Sequence, residues 1–364
     1  MVTKTERFRC PGCTADMSFD PQSGALKCPY CGAAQAISRS VNARVAEQPY
    51  EEYASDGAQR LLKLSDAAVE VTCSGCGATV EFEPKEVTAT CPFCTANFVS
   101  QPKAADPLIA PNGVLPFSLT KQQATQSVRQ WLASRWFAPS QLKHVARPEG
   151  IHGVYLPFWT YDAQAYSTYG GQRGDYYYET IQVVERDAQG RDVVRQQQVR
   201  RTRWTSVSGS VENSFDDVLV PATRSVKRGR LQQLEPWDLE KLDPYEPAFL
   251  TGFRAQRYQV TLTDGFTEAQ QMMTMSIENS IRDDIGGDEQ QIDDVDTQWS
   301  GLSFKHLMLP VWIGAYKFRA KVYQVTVNAR TGEVQGERPY SAAKIALLVL
   351  AIVIVVIIVM NLSE

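Results

Sequence analysis

Hydrophobic and polar positions follow three different patterns along this chain. Over residues 121–136, Ala124, Val128, Trp131, Leu132 and Trp136 recur at helical steps. Thr120 with Gln123 forms a capping box ahead of them, so a helix is predicted over 121–136. The stretch Ala163-Gln164-Ala165-Tyr166-Ser167-Thr168-Tyr169 alternates in steps of two, as a strand does. It follows Tyr155-Leu156-Pro157-Phe158-Trp159-Thr160-Tyr161, whose opening recurs at Leu309-Pro310-Val311-Trp312. The second copy leads into 315–323, and 328–334 then reads as strand, turn, strand around Thr331-Gly332. Residues 176–184 and 192–207 read as a strand pair turned at Asp187-Ala188-Gln189-Gly190. Residues 244–257 read as partly helical, and 267–284 as a helix ended by Gly286-Gly287. Together these predict an α+β fold: one mainly antiparallel domain over 114–340, with two related halves built on the Leu-Pro-x-Trp strands.

The third pattern has no period. Residues 345–360 are Ile, Leu, Val and Ala with a final Met, and no charge. Extended to 342–362 the segment has 21 residues, or ~31 Å of helix at ~1.5 Å per residue, which matches a bilayer core of about 30 Å. No polar face exists, so a transmembrane helix is predicted rather than a core helix. Lys344 lies at its N-terminal edge, where its stem can reach the head groups. Arg330, Arg338 and Lys344 lie on the N-terminal side, and no Lys or Arg follows the span. The positive-inside rule then predicts a single-pass protein of the inner membrane with the bulk of the chain in the cytoplasm.

Composition adds little and removes something. Hydrophobic content of 43% with 21% charge suits folded domains. A net charge of −4 gives no general reason to expect nucleic acid as a partner. The first residues, Met1 to Arg9, are polar, which predicts no secretory signal peptide and a cytoplasmic N-terminal part.

The cysteines change the picture most. All eight precede residue 95 and form four Cys-x-x-Cys pairs: Cys10, Cys13, Cys28, Cys31 and Cys73, Cys76, Cys91, Cys94. Fourteen residues separate Cys13 from Cys28, and fourteen separate Cys76 from Cys91. Zinc favours four thiolates in a tetrahedron, and each Cys-x-x-Cys turn presents two. Gly12, Gly32, Gly75 and Gly77 supply backbone freedom beside the sulfurs. Between the turns, residues 17–19 and 79–82 alternate as short strands. Two structural Zn²⁺ ions in rubredoxin-like zinc ribbons are therefore predicted. Disulfides are disfavoured for a cytoplasmic chain, and a redox Cys-x-x-Cys would need one pair beside a βαβ unit rather than four in register. With cysteine at all four positions no coordination site is left for water, which a catalytic zinc needs. The predicted segments are a first ribbon over 1–38, a connector over 39–68 with a short helix near 58–64, a second ribbon over 69–100, a linker over 101–113, the domain over 114–340 and the span over 342–362.

No catalytic constellation is legible. His144, His152 and His306 have no Ser or Cys partner in a recognisable motif, and no Gly-x-x-x-x-Gly-Lys-Ser/Thr phosphate loop occurs. Gly170-Gly171-Gln172-Arg173-Gly174 is predicted to be a loop. The acidic run Asp283, Asp284, Asp288, Glu289, Asp293, Asp294, Asp296 lacks EF-hand spacing and is predicted to be a solvated loop. Arg195, Arg200, Arg201 and Arg203 are predicted to form a solvated strand face, the other reading being contact with anionic head groups or an acidic partner. Residues 1–40 hold five basic against three acidic side chains and residues 69–103 hold two against four, so neither ribbon clusters the positive charge that phosphate binding needs.

The double four-cysteine pattern, the Leu-Pro-Phe-Trp-Thr-Tyr-Asp stretch at 156–162, the Leu-Pro-Val-Trp at 309–312, the Asn-x-x-Thr-Gly-Glu-Val turn at 328–334 and the apolar C-terminus occur together. In this combination the chain resembles the bacterial membrane-anchored double-zinc-ribbon proteins that work beside phage-shock protein A and flotillin-like (SPFH) proteins in envelope stress. Members often carry the label primosomal protein N′, a superfamily II helicase; this chain lacks the phosphate loop and the length of such a motor. The resemblance implies a non-enzymatic membrane adaptor with protein partners of those kinds. A membrane-tethered nucleic-acid-binding protein is the alternative.

Overall fold

The alternation at 163–169 belongs to a far longer strand, around which the fold is built. The computed structural model describes residues 8–37, 44–55, 69–73, 79–82, 88–91, 93, 97–99, 103–104, 109–139, 151–186, 190, 192–318 and 321–362. The N-terminal cysteine module is a small antiparallel sheet of β1 (Ser18–Asp20), β2 (Ala25–Lys27) and β3 (Ala34–Gln35). Next come β4 (Gln48–Pro49) and the helix α1 (Tyr50–Ser55). In the second cysteine segment, β5 (Val69–Thr72) pairs with β6 (Thr79–Phe82), β7 (Thr88–Thr90) with β8 (Asn97–Val99), and β9 (Lys103–Ala104) returns to β5. The short helix expected near 58–64 lies outside the described residues.

The large sheet gathers β10 (Gly113–Val114), β11 (His152–Arg186), β12 (Asp192–Pro221), β13 (Asp243–Pro244), β14 (Arg254–Ala255), β15 (Glu289–Phe318), β16 (Lys321–Asn328) and β17 (Val334–Gly336), together with β4. Its central order is β12-β11-β15, antiparallel throughout, and β16 follows on the far side of β15. Among the described residues, four helices accompany it besides α1: α2 (Lys121–Ser134), α3 (Arg228–Gln232), α4 (Leu262–Ile285) and α5 (Ala342–Leu362). The fold is thus α+β with antiparallel sheets.

The two Leu-Pro-x-Trp strands lie side by side. Leu156 pairs with Leu309, Trp159 with His306, and Gly153 with Trp312. These three pairs are symmetric about the first, so a local two-fold axis passes between Leu156 and Leu309. Burial along β11 shows the layering. Residues 153–161 are all buried, whereas from 163 to 169 burial alternates. The first part of the strand is therefore covered on both faces and the second on one. Val154, Leu156 and Phe158 join Leu307, Leu309, Val311 and Ile313 in one core, closed by Leu231, Leu234 and Trp237. Tyr155 and Trp159 point to the opposite face. Tyr155 packs edge-on against Phe117 at 5.0 Å, and Trp159 Nε1 donates to Val260 O at 2.9 Å.

Helix α2 begins as the capping box predicts: the Gln123 N–H donates to Thr120 Oγ1, and the Thr120 N–H donates to Gln123 Oε1 at 2.8 Å. Ala124, Val128, Trp131 and Leu132 are its buried face. Helix α4 starts five residues before the predicted 267, because Thr261 caps it through the Asp264 N–H. It ends where Gly286 adopts φ 64°. Its Met273, Ile277, Ile281 and Ile285 are buried along the sheet, each contributing about 1.5–3 kcal/mol by leaving water. In 244–257 only Pro247–Leu250 is a 3₁₀ turn.

Two predicted loops are not loops. Gly170 to Gly174 lies within β11, with a register shift between Gly170 and Gly171. The glycines permit strand contact: a Cβ on Gly171 would sit well inside van der Waals contact of the Gln291 carbonyl oxygen. Of the acidic run, Asp283 and Asp284 close α4, Asp288 sits in the turn that follows, and Glu289 to Asp296 belong to β15. Partners explain the ordered backbone: Tyr169 Oη donates to Asp284 at 2.6 Å, Tyr176 N–H to Asp288 at 2.6 Å, and Tyr176 Oη to Glu289 at 2.7 Å.

Beyond Gly174 the sheet narrows to the β11–β12 hairpin. Arg195, Arg200, Arg201 and Arg203 lie exposed on it as predicted. Two of their charges are answered locally: Arg201 pairs with Glu179 at 2.5 Å and Arg195 with Glu185 at 3.7 Å, while Arg200 and Arg203 lie over the rings of Tyr176 and Tyr177.

Helix α5 has 21 residues, none buried, and is long and apolar enough to cross a membrane. Lys344 does not extend away from the domain. Its Nζ donates to Trp136 O at 2.9 Å and Ala138 O at 2.8 Å, where the chain just after α2 turns two carbonyls towards it.

Candidate metal centre

The first four cysteines come together as their spacing predicts. Each Cys-x-x-Cys forms a tight turn, and the two turns are copies. Cys10 N–H donates to Ala15 O and Thr14 N–H to Cys10 O; Cys28 N–H donates to Ala33 O and Gly32 N–H to Cys28 O. The equivalent residues Thr14 and Gly32 both take positive φ, 59° and 75°. The hairpin β1–β2, paired Phe19 to Leu26, sets the turns opposite each other.

The sulfurs of Cys10, Cys13, Cys28 and Cys31 all lie within 4.8 Å of one another. Cys10 to Cys31 and Cys13 to Cys28 are both 3.4 Å apart, far beyond the ~2.05 Å of a disulfide. A tetrahedral ion bound at ~2.3 Å would set its thiolates ~3.8 Å apart, so this cage fits one metal ion. Cys10 and Cys28 are buried, Cys13 and Cys31 exposed. The Gly12 N–H points at Cys10 Sγ at 3.4 Å. Amides of Cys13 and Gly12 hold the Cys10 thiol below its ordinary range, and those of Cys31 and Tyr30 bring Cys28 down to about 6. At Cys13 the Ala15 amide pulls the same way but is outweighed by the neighbouring sulfurs of Cys28 and Cys31, which push it up to about 12. Cys31 is raised by Cys10 and Cys28 against the pull of the Ala33 amide.

This module is anchored to the rest of the protein. Phe19 N–H donates to Thr251 O at 2.9 Å, and the Phe19 ring meets Phe249 at 5.5 Å. In the second segment, Cys73 and Cys91 are buried beside Phe93 in the core that includes Val154 and Leu156. Cys76 and Cys94, with Gly75 and Gly77, lie outside the described residues, so only half of the second predicted set is placed.

The structure also assembles groups that the sequence did not bring together. Lys305, 7% exposed, lies 2.8 Å from Asp217, 3.3 Å from Glu47 and 3.6 Å from Asp162. Carboxylates of Glu47, Asp162 and Asp216 approach within 4.8 Å. The buried ammonium offsets part of the charge of the four carboxylates around it, so the cluster reads as an acidic ion network centred on Lys305. Burial raises the Asp162 carboxyl to about 6, with the Asp217 amide and Lys305 pulling the other way. His306 is sealed between Trp159 at 4.6 Å and Tyr258 at 5.5 Å, with its Nδ1 2.9 Å from Ile109 O. Its Nε2 has no partner among the described residues. Burial brings its pKa down to about 4, so it is neutral at pH 7. Sequence offered no signal for either arrangement beyond the Asp that ends Leu-Pro-Phe-Trp-Thr-Tyr-Asp. Of the remaining histidines, His152 is half-buried at the start of β11, and His144 lies outside the described residues.

No family model matches the chain, and no solved structure matches it. A protein of Bacillus subtilis (strain 168), named Uncharacterized protein YdjG, is 25% identical over 348 residues, covering 93% of this chain and 92% of its own. The chain is therefore similar to that protein over nearly its whole length and not through the cysteine segment alone.

Proposed function

We propose that the chain is a membrane-anchored zinc-ribbon adaptor that docks cytoplasmic protein partners at the inner membrane. The observation that carries this reading is the separation of two features: a closed four-sulfur cage at one end of the chain and an unburied 21-residue apolar helix at the other. A tetrahedral set of four thiolates suits zinc, which it shares with iron among the common ions. Four of them leave no position for a reacting water, so the ion holds a surface in shape. Such a surface is rigid before it meets a partner, which lowers the ordering cost of binding. Cys73, Cys76, Cys91 and Cys94 form the second site in this reading, giving two structural zinc ions. The phage-shock protein A-like and flotillin-like partners, and the role in envelope stress, follow from the resemblance. Arg330, Arg338 and Lys344 before the span orient the bulk of the chain to the cytoplasm. The nucleic-acid alternative is weaker, because two of the four arginines of the basic stretch on β12 are paired with Glu179 and Glu185.

The test is capture from bacterial membranes with the full chain as bait, beside Cys28→Ser and Cys91→Ser variants. Each variant is expected to lose about one zinc per chain by elemental analysis, and at least one is expected to lose a partner that the parent retains. Recovery of no partner by the parent chain, or an unchanged partner set in both variants, overturns the adaptor reading. Salt-sensitive DNA binding by the same protein would favour the alternative.

A further inference from the structure

A cleft of about 370 Å³ lies between the last turn of α2 and the segment leading into α5, lined by Trp131, Arg135, Glu337, Arg338 and Tyr340 among others. Its position is fixed by the first turn of α5. Ser341 N–H donates to Phe137 O at 2.8 Å, and Lys344 holds the carbonyls of Trp136 and Ala138. Trp136 is 71% exposed and Tyr340 is 62% exposed beside this junction. Large amphipathic rings flanking an apolar span belong at the level of the head groups. The cleft thus opens at the level where α5 would enter a bilayer.

Its chemistry is that of an anion site. Two of its lining residues carry N–H donors, Trp131 Nε1 and Arg135 Nε, that are buried with no hydrogen-bond partner among the described residues. Trp131 is only 9% exposed, so water does not readily compensate it. The Arg135 guanidinium stacks over the Trp131 ring at 5.1 Å and Arg338 over the Tyr340 ring at 5.4 Å. Stacking fixes both planes and leaves their N–H edges available. Glu337, the one acid in the lining among the described residues, is already answered: its Oε1 accepts from Lys227 at 3.1 Å and Arg230 at 2.9 Å. The balance is therefore positive. The arginines also occupy the aromatic faces that a choline group would need.

We propose that this cleft binds the phosphate of an anionic phospholipid from the leaflet that α5 enters, with Arg135, Arg338 and the Trp131 N–H as its donors. The bound lipid would lie with its acyl chains along α5, coupling the orientation of the domain to the charge of the membrane. This rests on α5 being a membrane anchor.

The experiment uses the full chain purified in a neutral detergent, with bound lipid counted by native mass spectrometry. Phosphatidylglycerol and phosphatidylcholine are titrated separately, and free glycerol 3-phosphate is offered as competitor. One phosphatidylglycerol is expected to be held in preference to phosphatidylcholine. Its affinity should fall on the order of tenfold in Arg135→Gln and in Arg338→Gln, the loss of one charge-assisted hydrogen bond. Trp131→Phe removes the donor together with part of a buried ring, so it should weaken binding less than the arginine variants and lower the melting temperature somewhat. Equal retention of phosphatidylglycerol by the parent and both arginine variants overturns the proposal. So does complete displacement by glycerol 3-phosphate, which would assign the cleft to soluble phosphates. Alkaline carbonate extraction separates the two readings. A chain that stays in the membrane but shows no arginine-dependent lipid retention loses this inference alone, whereas a chain released by carbonate loses the anchor and this inference with it.

Discussion

One titratable group beside each Leu-Pro motif sets a pH dependence of its own, and the two oppose. His306 has a folded pKa near 4 against 6.5 when exposed. The unfolded chain therefore binds its proton first, and stability is lost as pH falls from about 6.5 towards 4, by roughly 3 kcal/mol at about 1.4 kcal/mol per unit. Asp162 runs the other way. Its folded pKa near 6 exceeds the usual 3.8, so the fold binds that proton more tightly and gains stability over the window from about 6 to 3.8. The two windows overlap and the two slopes oppose. His306→Gln should remove that loss and make the decline on acidification shallower than in the parent. Asp162→Asn should remove the gain and steepen the loss, while its side-chain carbonyl can still accept from the Asp217 N–H, as Asp162 does at 2.6 Å. Denaturant midpoints near pH 6.5 and about two units lower read the difference; parallel shifts in both variants would contradict the assignment. The four cysteines of the first cage were legible because all of them fall within 22 residues and report a local geometry. The Lys305 network was not, because it joins residues 47, 162, 217 and 305, whose proximity only the sheet creates.

At the level of elements, alternation and capping were read where one face meets water and missed where glycine serves contact. The capping box of α2 and the turn at Gly332, φ 82°, follow from side chains adjacent in sequence. Gly170 to Gly174 looked like a loop because glycine is disfavoured in strands. Its reason is steric and lies 120 residues away, at the Gln291 carbonyl facing Gly171. Gly171→Ala drives a methyl into that backbone oxygen, which has no rotamer to yield, so β11 and β15 must part at the bulge. The cost should be about 1–3 kcal/mol. Hydrogen exchange resolves where it falls: amides of 289–296 should exchange faster, while those around Leu156 and Leu309 keep their protection. Gly190→Ala, with nothing within 4 Å, is the control for glycine loss itself, although its φ of 79° adds local strain. Uniform loosening of the whole sheet in Gly171→Ala would show that the bulge is not a local device.

Across the whole molecule, the recurrence of Leu-Pro-x-Trp proved to be structural: the two copies pair antiparallel about Leu156 and Leu309, and each continues into a hairpin, β11 into β12 and β15 into β16. The last of these hairpins leads, through β17, directly to α5, so the apolar helix follows directly on the central sheet. The apolar run announced a helix, but not how it is fastened, since Lys344 meets carbonyls 206 and 208 residues earlier in the chain. Two roles therefore separate. In the proposed reading the apolar length holds the chain in the membrane, and Lys344 holds the domain to the first turn of the helix. A chain cut after residue 341 should leave the membrane pellet for the soluble fraction with its Cys10–Cys31 cage still loading metal, because no residue of α5 contributes to that cage. Lys344→Ala should stay in the pellet through alkaline extraction, yet expose the Ser341 amide, now held 2.8 Å from Phe137 O, to faster hydrogen exchange. A cut chain that remains membrane-bound would mean that a second surface carries the attachment. A Lys344→Ala chain with unchanged exchange at Ser341 would mean that the domain is steadied by the packing around Phe137 rather than by the lysine.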